Sequence, residues 1–184
     1  MFKSHPKGLL AAALSNMGER FGYYIMNAVL ALFLCSKFGL AEGQAGLIYS
    51  IFYAGIYILS LVGGLIADKT QNYKGTIMTG LAIMASGYVI LSIPVLATTQ
   101  NSSFLLTVTC LALFLIAFGN GLFKGNLQAI VGQMYDNFEA EEAKKGEEAL
   151  AIAKDKRDSG FQIFYVFINV GGVVAPFVAP LLRE

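Results

Sequence analysis

The chain has 184 residues, 56% of them hydrophobic and only 14% charged, with a mean hydropathy of +0.62 and a formal net charge of +1. That balance excludes a soluble domain, and without a basic patch interleaved with aromatics no nucleic-acid partner is expected. The composition specifies an integral membrane protein in contact with lipid.

Five helical spans are expected, at about 8–36, 43–66, 76–97, 104–134 and 160–182. Lys3 and Lys7 ahead of the first apolar run superficially suggest a signal peptide. The run is too long for one and is interrupted by Glu19 and Arg20, so it is read as a retained first span.

Those two charges stand midway along the first span, in MGERFGYY. A charged side chain at bilayer depth costs at least ~2.5–3.5 kcal/mol on insertion scales, so the pair marks a functional centre; a structural ion pair is the plainer reading. Asn16, Glu19, Arg20, Tyr23 and Asn27 recur at steps of three and four and share one helix face. Such a polar stripe is expected to line a wet cavity.

Polar faces recur in three further spans: Tyr49, Tyr53, Tyr57 and Ser60 in the second; Asn120, Lys124 and Gln128 in the fourth; Gln162, Tyr165 and Asn169 in the fifth. The third span carries only scattered Thr and Ser and reads as a lipid-facing support. Lys124 has no acid within its span, so its compensation comes from Glu19, from a part of the protein beyond these spans, or from an anionic ligand. Arg20 and Lys124 facing one cavity would suit a small substrate with a carboxylate, gripped bidentately by the guanidinium.

Orientation follows from the cations outside the spans. Lys3, Lys7, Lys69, Lys74, Lys144, Lys145, Lys154, Lys156 and Arg157 fall on one side against Lys37 and Arg183 on the other, so the N-terminus is expected in the cytoplasm of a multi-pass cell-membrane protein. The stretch from Asp136 to Asp158 is dense in Glu, Lys and Ala and reads as a solvated cytoplasmic loop or a short surface helix broken near Gly146. An Asn-Ser-Ser sequon at Asn101 lies too close to the membrane to carry weight.

Cys35 and Cys110 have no second thiol or histidine at ligand spacing, and His5, the single histidine, lies outside the first span. Metal sites, cofactors and enzymatic activity are therefore not expected. At the end of the second span, GGLIADK places Gly63 and Gly64, which allow close helix approach, ahead of Asp68 and Lys69.

Gly63, Gly64, Asp68 and Lys69 resemble the loop motif between spans two and three of the major facilitator superfamily, in which the acid latches helices in one gating state. MGERFGYY is similar to the ExxERFxYY motif of the proton-dependent oligopeptide transporter family. GNGLFKGN resembles that family's fourth-span motif, and FYVFINVGG its fifth-span FYxxINxG signature. Four motifs in order over the whole chain make the resemblance specific.

The resemblance implies a fold of two six-helix bundles with a central peptide site and alternating access. The five spans would form most of the first bundle, with the sixth helix and the second bundle supplied elsewhere. The implied activity is proton-coupled symport of di- and tripeptides with a free carboxylate, protons serving as the coupling ion. Glu19 would be the coupling acid and Arg20 its partner and a substrate contact. Lys124 would meet the carboxylate end; Tyr23, Tyr24 and Tyr57 would be site tyrosines, Asn169 a substrate-amide contact, and Tyr165 a less specific substrate-binding residue.

Departures from the family pattern are Asn16 in place of the first motif glutamate, Asn27 where some members have arginine, and Gly125 in place of the usual proline after the fourth-span lysine. The alternative functions are a non-transporting membrane scaffold or regulatory half-protein, and a family member carrying another small anion.

Overall fold

The structure, a computed structural model, describes residues 5–182; Lys3 and Arg183 of the charge tally lie outside the described residues. Among these the chain is helical without strands, and five helices are long and apolar enough to cross a membrane. They are α1 (Leu9–Phe38), α2 (Glu42–Thr70), α3 (Tyr73–Ser92), α4 (Ser102–Ala143) and α5 (Glu147–Val178), followed by a 3-10 turn, Ala179–Leu182.

Local chemistry sets the helix ends. α1 ends before Gly39, whose φ of +64° is the left-handed conformation glycine adopts without cost; its N–H donates to the Cys35 carbonyl at 2.9 Å. At the start of α3 the Asn72 side chain accepts the Gly75 N–H at 2.9 Å, an N-cap bond. α3 stops at Ser92, short of the expected end near residue 97. Ile93 is extended at φ −65°, ψ 118°, because the ring of Pro94 disfavours a helical residue before it.

A larger difference concerns the stretch from Asp136 to Asp158. α4 continues to Ala143 and α5 begins at Glu147, so residues 144–146 alone form the link, with Gly146 at φ +129°. The Glu, Lys and Ala that make this stretch soluble-looking are also strong helix formers, so it extends the spans instead of looping between them. At 42 residues α4 is roughly 63 Å long, about twice the hydrocarbon thickness.

The chain divides into two compact units, one of Val29–Asn126 and the other of Met1–Ala28 with Leu127–Glu184. In the latter, the α1 backbone at Met17 fills the space a Cβ on Gly171 of α5 would need. The α4–α5 hairpin closes on Tyr135, which is fully buried against Gly160 and bonded through its hydroxyl to His5 Nδ1 at 2.7 Å. Arg157 Nη1 donates across the hairpin to Asp136 at 2.6 Å and Glu139 at 3.3 Å.

The other unit is held by backbone contact at small residues, the usual device where lipid offers no hydrophobic drive between helices. A Cβ on Gly63 of α2 would fall on the Gly121 carbonyl of α4; one on Gly80 of α3 would lie 2.7 Å from the Gly119 carbonyl, and one on Gly87 2.8 Å from that of Ala112. Gly64 meets nothing within 4 Å, so only the first of the two glycines allows the close approach. The outward face of α3 shows Met78 and Val89.

Candidate functional site

Residue 19 and residue 20 are sequence neighbours whose side chains close on each other. Arg20 Nε donates to Glu19 Oε2 at 2.5 Å and Nη2 to Oε1 at 2.7 Å, a bidentate pair with both side chains under a tenth exposed. The guanidinium carbon lies 4.7 Å from the centre of the Tyr23 ring. Asn16 and Tyr23 are buried with the pair. The polar stripe of α1 is thus turned inward and enclosed, in place of the wet lining expected, because two opposite charges that satisfy each other tolerate enclosure that either alone would not.

Around this pair, Tyr24 is partly exposed, meets Tyr23 edge to face at 5.4 Å, and lies where a Cβ on Gly172 of α5 would sit, 2.9 Å from its ring. Asn27 has a buried Oδ1 without a hydrogen-bond partner among the described residues. Tyr165 and Asn169 of α5 are exposed; Tyr165 contacts Phe164 edge to face, and Asn169 makes no side-chain hydrogen bond among the described residues.

The second cluster lies on α2 and α4. Lys124 Nζ stands 4.4 Å from the centre of the Tyr57 ring, and the Tyr57 and Tyr53 hydroxyls are 3.2 Å apart. Tyr49 stacks on Tyr53 at 6.2 Å, so the tyrosine steps along α2 form one aromatic ladder. With α4 running on to Ala143, its helix does contain acids, but the first, Asp136, is more than roughly three turns beyond Lys124.

Asn126 is the residue the sequence reading missed. It is 1% exposed, and its Nδ2 donates to the Gly63 carbonyl at 3.0 Å and to the Leu122 carbonyl at 2.8 Å. A polar side chain one helical turn after the close contact of Gly121 was the available signal. At the α2–α3 turn, Tyr73 donates to Asp68 Oδ1 at 2.6 Å and Gln71 Nε2 to the Asp68 carbonyl at 2.5 Å, while Lys69 is exposed. Asp68 is therefore engaged by the first residue of α3.

Membrane-length helices with a charged pair enclosed in the first of them define an integral membrane protein of the multi-helix class. Residues 74–184 match the PTR2 description of the POT family. The chain belongs to the POT family.

It is 33% identical over 184 residues to a di-/tripeptide transporter of Lactococcus lactis subsp. cremoris, and 30% identical over 180 residues to dipeptide and tripeptide permease B of Yersinia enterocolitica serotype O:8. These alignments cover 96% and 97% of this chain and 32% of each relative. A solved bacterial homologue of the human drug peptide transporters PepT1 and PepT2 superposes with a TM-score of 0.71 at 30% identity, over 91% of this chain and 31% of that one. The chain spans about a third of the length of the relatives it matches. Family and relatives are transporters, not enzymes.

Proposed function

We propose that this chain supplies the N-terminal bundle of a proton-coupled di- and tripeptide symporter working by alternating access. The observation that carries the reading is the enclosed bidentate pair of Glu19 and Arg20. Arg20 is the group that can grip a peptide carboxylate bidentately, yet Glu19 already occupies its Nε/Nη2 edge. A substrate carboxylate and the Glu19 carboxylate therefore compete for the single positive charge of one guanidinium. A proton on Glu19 removes the competitor; conversely, substrate that takes Arg20 leaves Glu19 without its counter-ion, and the acid takes up a proton. Linkage makes the two effects equal in free energy.

On this reading Lys124 adds a point charge toward the carboxylate end, and Tyr23, Tyr24, Tyr57, Tyr165 and Asn169 present hydroxyls, ring faces and an amide to the peptide backbone. The exposed Tyr165 and Asn169 are free of strong side-chain commitments among the described residues, which suits groups that engage a ligand. Gly63, Asp68 and Lys69 belong to the gating element at the α2–α3 turn. The N-terminus and the α4–α5 link face the cytoplasm of the cell membrane.

The test is uptake of labelled dipeptide by the complete transporter under an inward proton gradient. Lys124→Ala is expected to weaken uptake of free peptides more than Lys124→Arg, and amidating the peptide carboxylate is expected to shrink that difference. Equal losses with free and amidated peptides would show that Lys124 is structural. Orientation is checked by cysteines introduced at residues 144–146, which are expected to resist membrane-impermeant thiol reagents in intact cells.

A further inference from the structure

A cavity of about 380 Å³ lies where α2, α3 and α4 meet near the α2–α3 turn, within the size range of about 300–1,000 Å³ typical of ligand sites. Its lining changes character along its length. Thr70, Asn72, Thr76 and Thr79 supply polar groups toward the turn. Ile66, Ile83, Phe118 and Leu122 line the remainder, and Thr76 to Ile83 alone spans roughly 10 Å along α3. We propose that this groove binds an anionic glycerophospholipid with a hydroxyl-bearing headgroup, its phosphate toward the α2–α3 turn and an acyl chain along α3 and α4.

The polar groups fit that occupant in kind. The Thr70 hydroxyl gives its hydrogen to the Ile66 carbonyl at 2.8 Å and the Thr76 hydroxyl to the Asn72 carbonyl at 2.9 Å, so both present acceptor lone pairs suited to headgroup hydroxyls. Asn72 Oδ1 is engaged by Gly75, which leaves its amide nitrogen as a donor for phosphate. Lys69 and Lys74, both exposed, adjoin the lining residues Thr70 and Gly75 in sequence and stand at the same turn. Against these two ammoniums is one carboxylate, Asp68, whose Oδ1 is held by the Tyr73 hydroxyl at 2.6 Å. The net positive charge of the α2–α3 turn thus favours an anion, and the apolar floor favours one that carries a hydrocarbon tail over free phosphate.

The test is native mass spectrometry of the purified chain in detergent with dioleoyl-phosphatidylglycerol or dioleoyl-phosphatidylcholine. One phosphatidylglycerol is expected to be retained at least tenfold more than phosphatidylcholine. Lys74→Glu, at an exposed position, is expected to bring phosphatidylglycerol down to the phosphatidylcholine level without affecting the latter. Thr79→Trp, which fills the groove, is expected to remove both, with circular dichroism reporting the fold; if that variant misfolds, Lys74→Glu alone decides. Equal retention of the two lipids by the unsubstituted chain, or phosphatidylglycerol retention unchanged by Lys74→Glu, overturns the proposal.

Discussion

Alanine at Gly63 and alanine at the adjacent Gly64 have opposite expected effects on the stability of the same helix. At Gly64 the added methyl meets nothing within 4 Å, so the helix-propensity gain of up to about 1 kcal/mol acts alone. At Gly63 the methyl falls on the Gly121 carbonyl and stands 2.9 Å from the Leu122 Cα, both rigid backbone. Parting the helices enough to admit it costs about 1–3 kcal/mol of packing. The same displacement pulls the Gly63 carbonyl from Asn126 Nδ2, now at 3.0 Å, for a further ~0.5–1.5 kcal/mol. With the propensity gain offset, Gly63→Ala is expected to lose about 0.5–3.5 kcal/mol and to lie roughly 1.5–4.5 kcal/mol below Gly64→Ala. Reversible denaturant unfolding of the detergent-solubilised chain, followed by far-ultraviolet circular dichroism, measures the difference. Equal midpoints for the two variants would refute the close contact at Gly63.

Asn126→Ala is expected to cost about 0.5–1.5 kcal/mol in the same assay, because the Gly63 carbonyl loses its second, interhelical donor. Gly160→Ala places a methyl on the Tyr135 hydroxyl and is expected to destabilise by about 1–3 kcal/mol, whereas Arg157→Gln, which breaks a partly exposed and solvent-screened pair, loses at most about 1 kcal/mol. Burial, and secondarily the Lys156 ammonium, hold the His5 imidazole below its ordinary value of 6.5, so the folded chain favours the neutral ring. The stability it contributes is complete above that value and is lost as pH falls through the lowered folded one. As the single histidine, it gives one imidazole NMR titration, expected with a midpoint below 6.5 and moved upward by Lys156→Gln.

Much of the architecture was legible because a bilayer leaves few options: long apolar runs must be helical, and charges within them must be enclosed or paired. That Asn16, Glu19, Arg20 and Tyr23 share one face of α1 was readable from their helical spacing, whereas the enclosure of that face in place of a wet lining was not. The bidentate closure of Glu19 on Arg20 was not, since neighbours in a helix point about 100° apart and only their side-chain rotamers bring them together. The helical ends around Gly146 were obscured because glutamate, lysine and alanine serve a solvated helix and a solvated loop equally in composition. The early end of α3 was signalled by Pro94, whose effect falls on the residue before it. Asn126 escaped because its role depends on a carbonyl 63 residues earlier in the chain.

The central claim is that Glu19 is the proton-coupling acid and acts through Arg20. The most direct measurement compares Glu19→Gln with the unsubstituted complete transporter in proteoliposomes, in two modes: dipeptide accumulation under a proton gradient alone, and counterflow exchange at equal concentrations without a gradient. The account predicts that Glu19→Gln abolishes accumulation and retains exchange, because a neutral amide releases Arg20 to the substrate and has no proton to carry. If Glu19→Gln still concentrates dipeptide when a proton gradient is the sole driving force, coupling resides elsewhere and the account is contradicted.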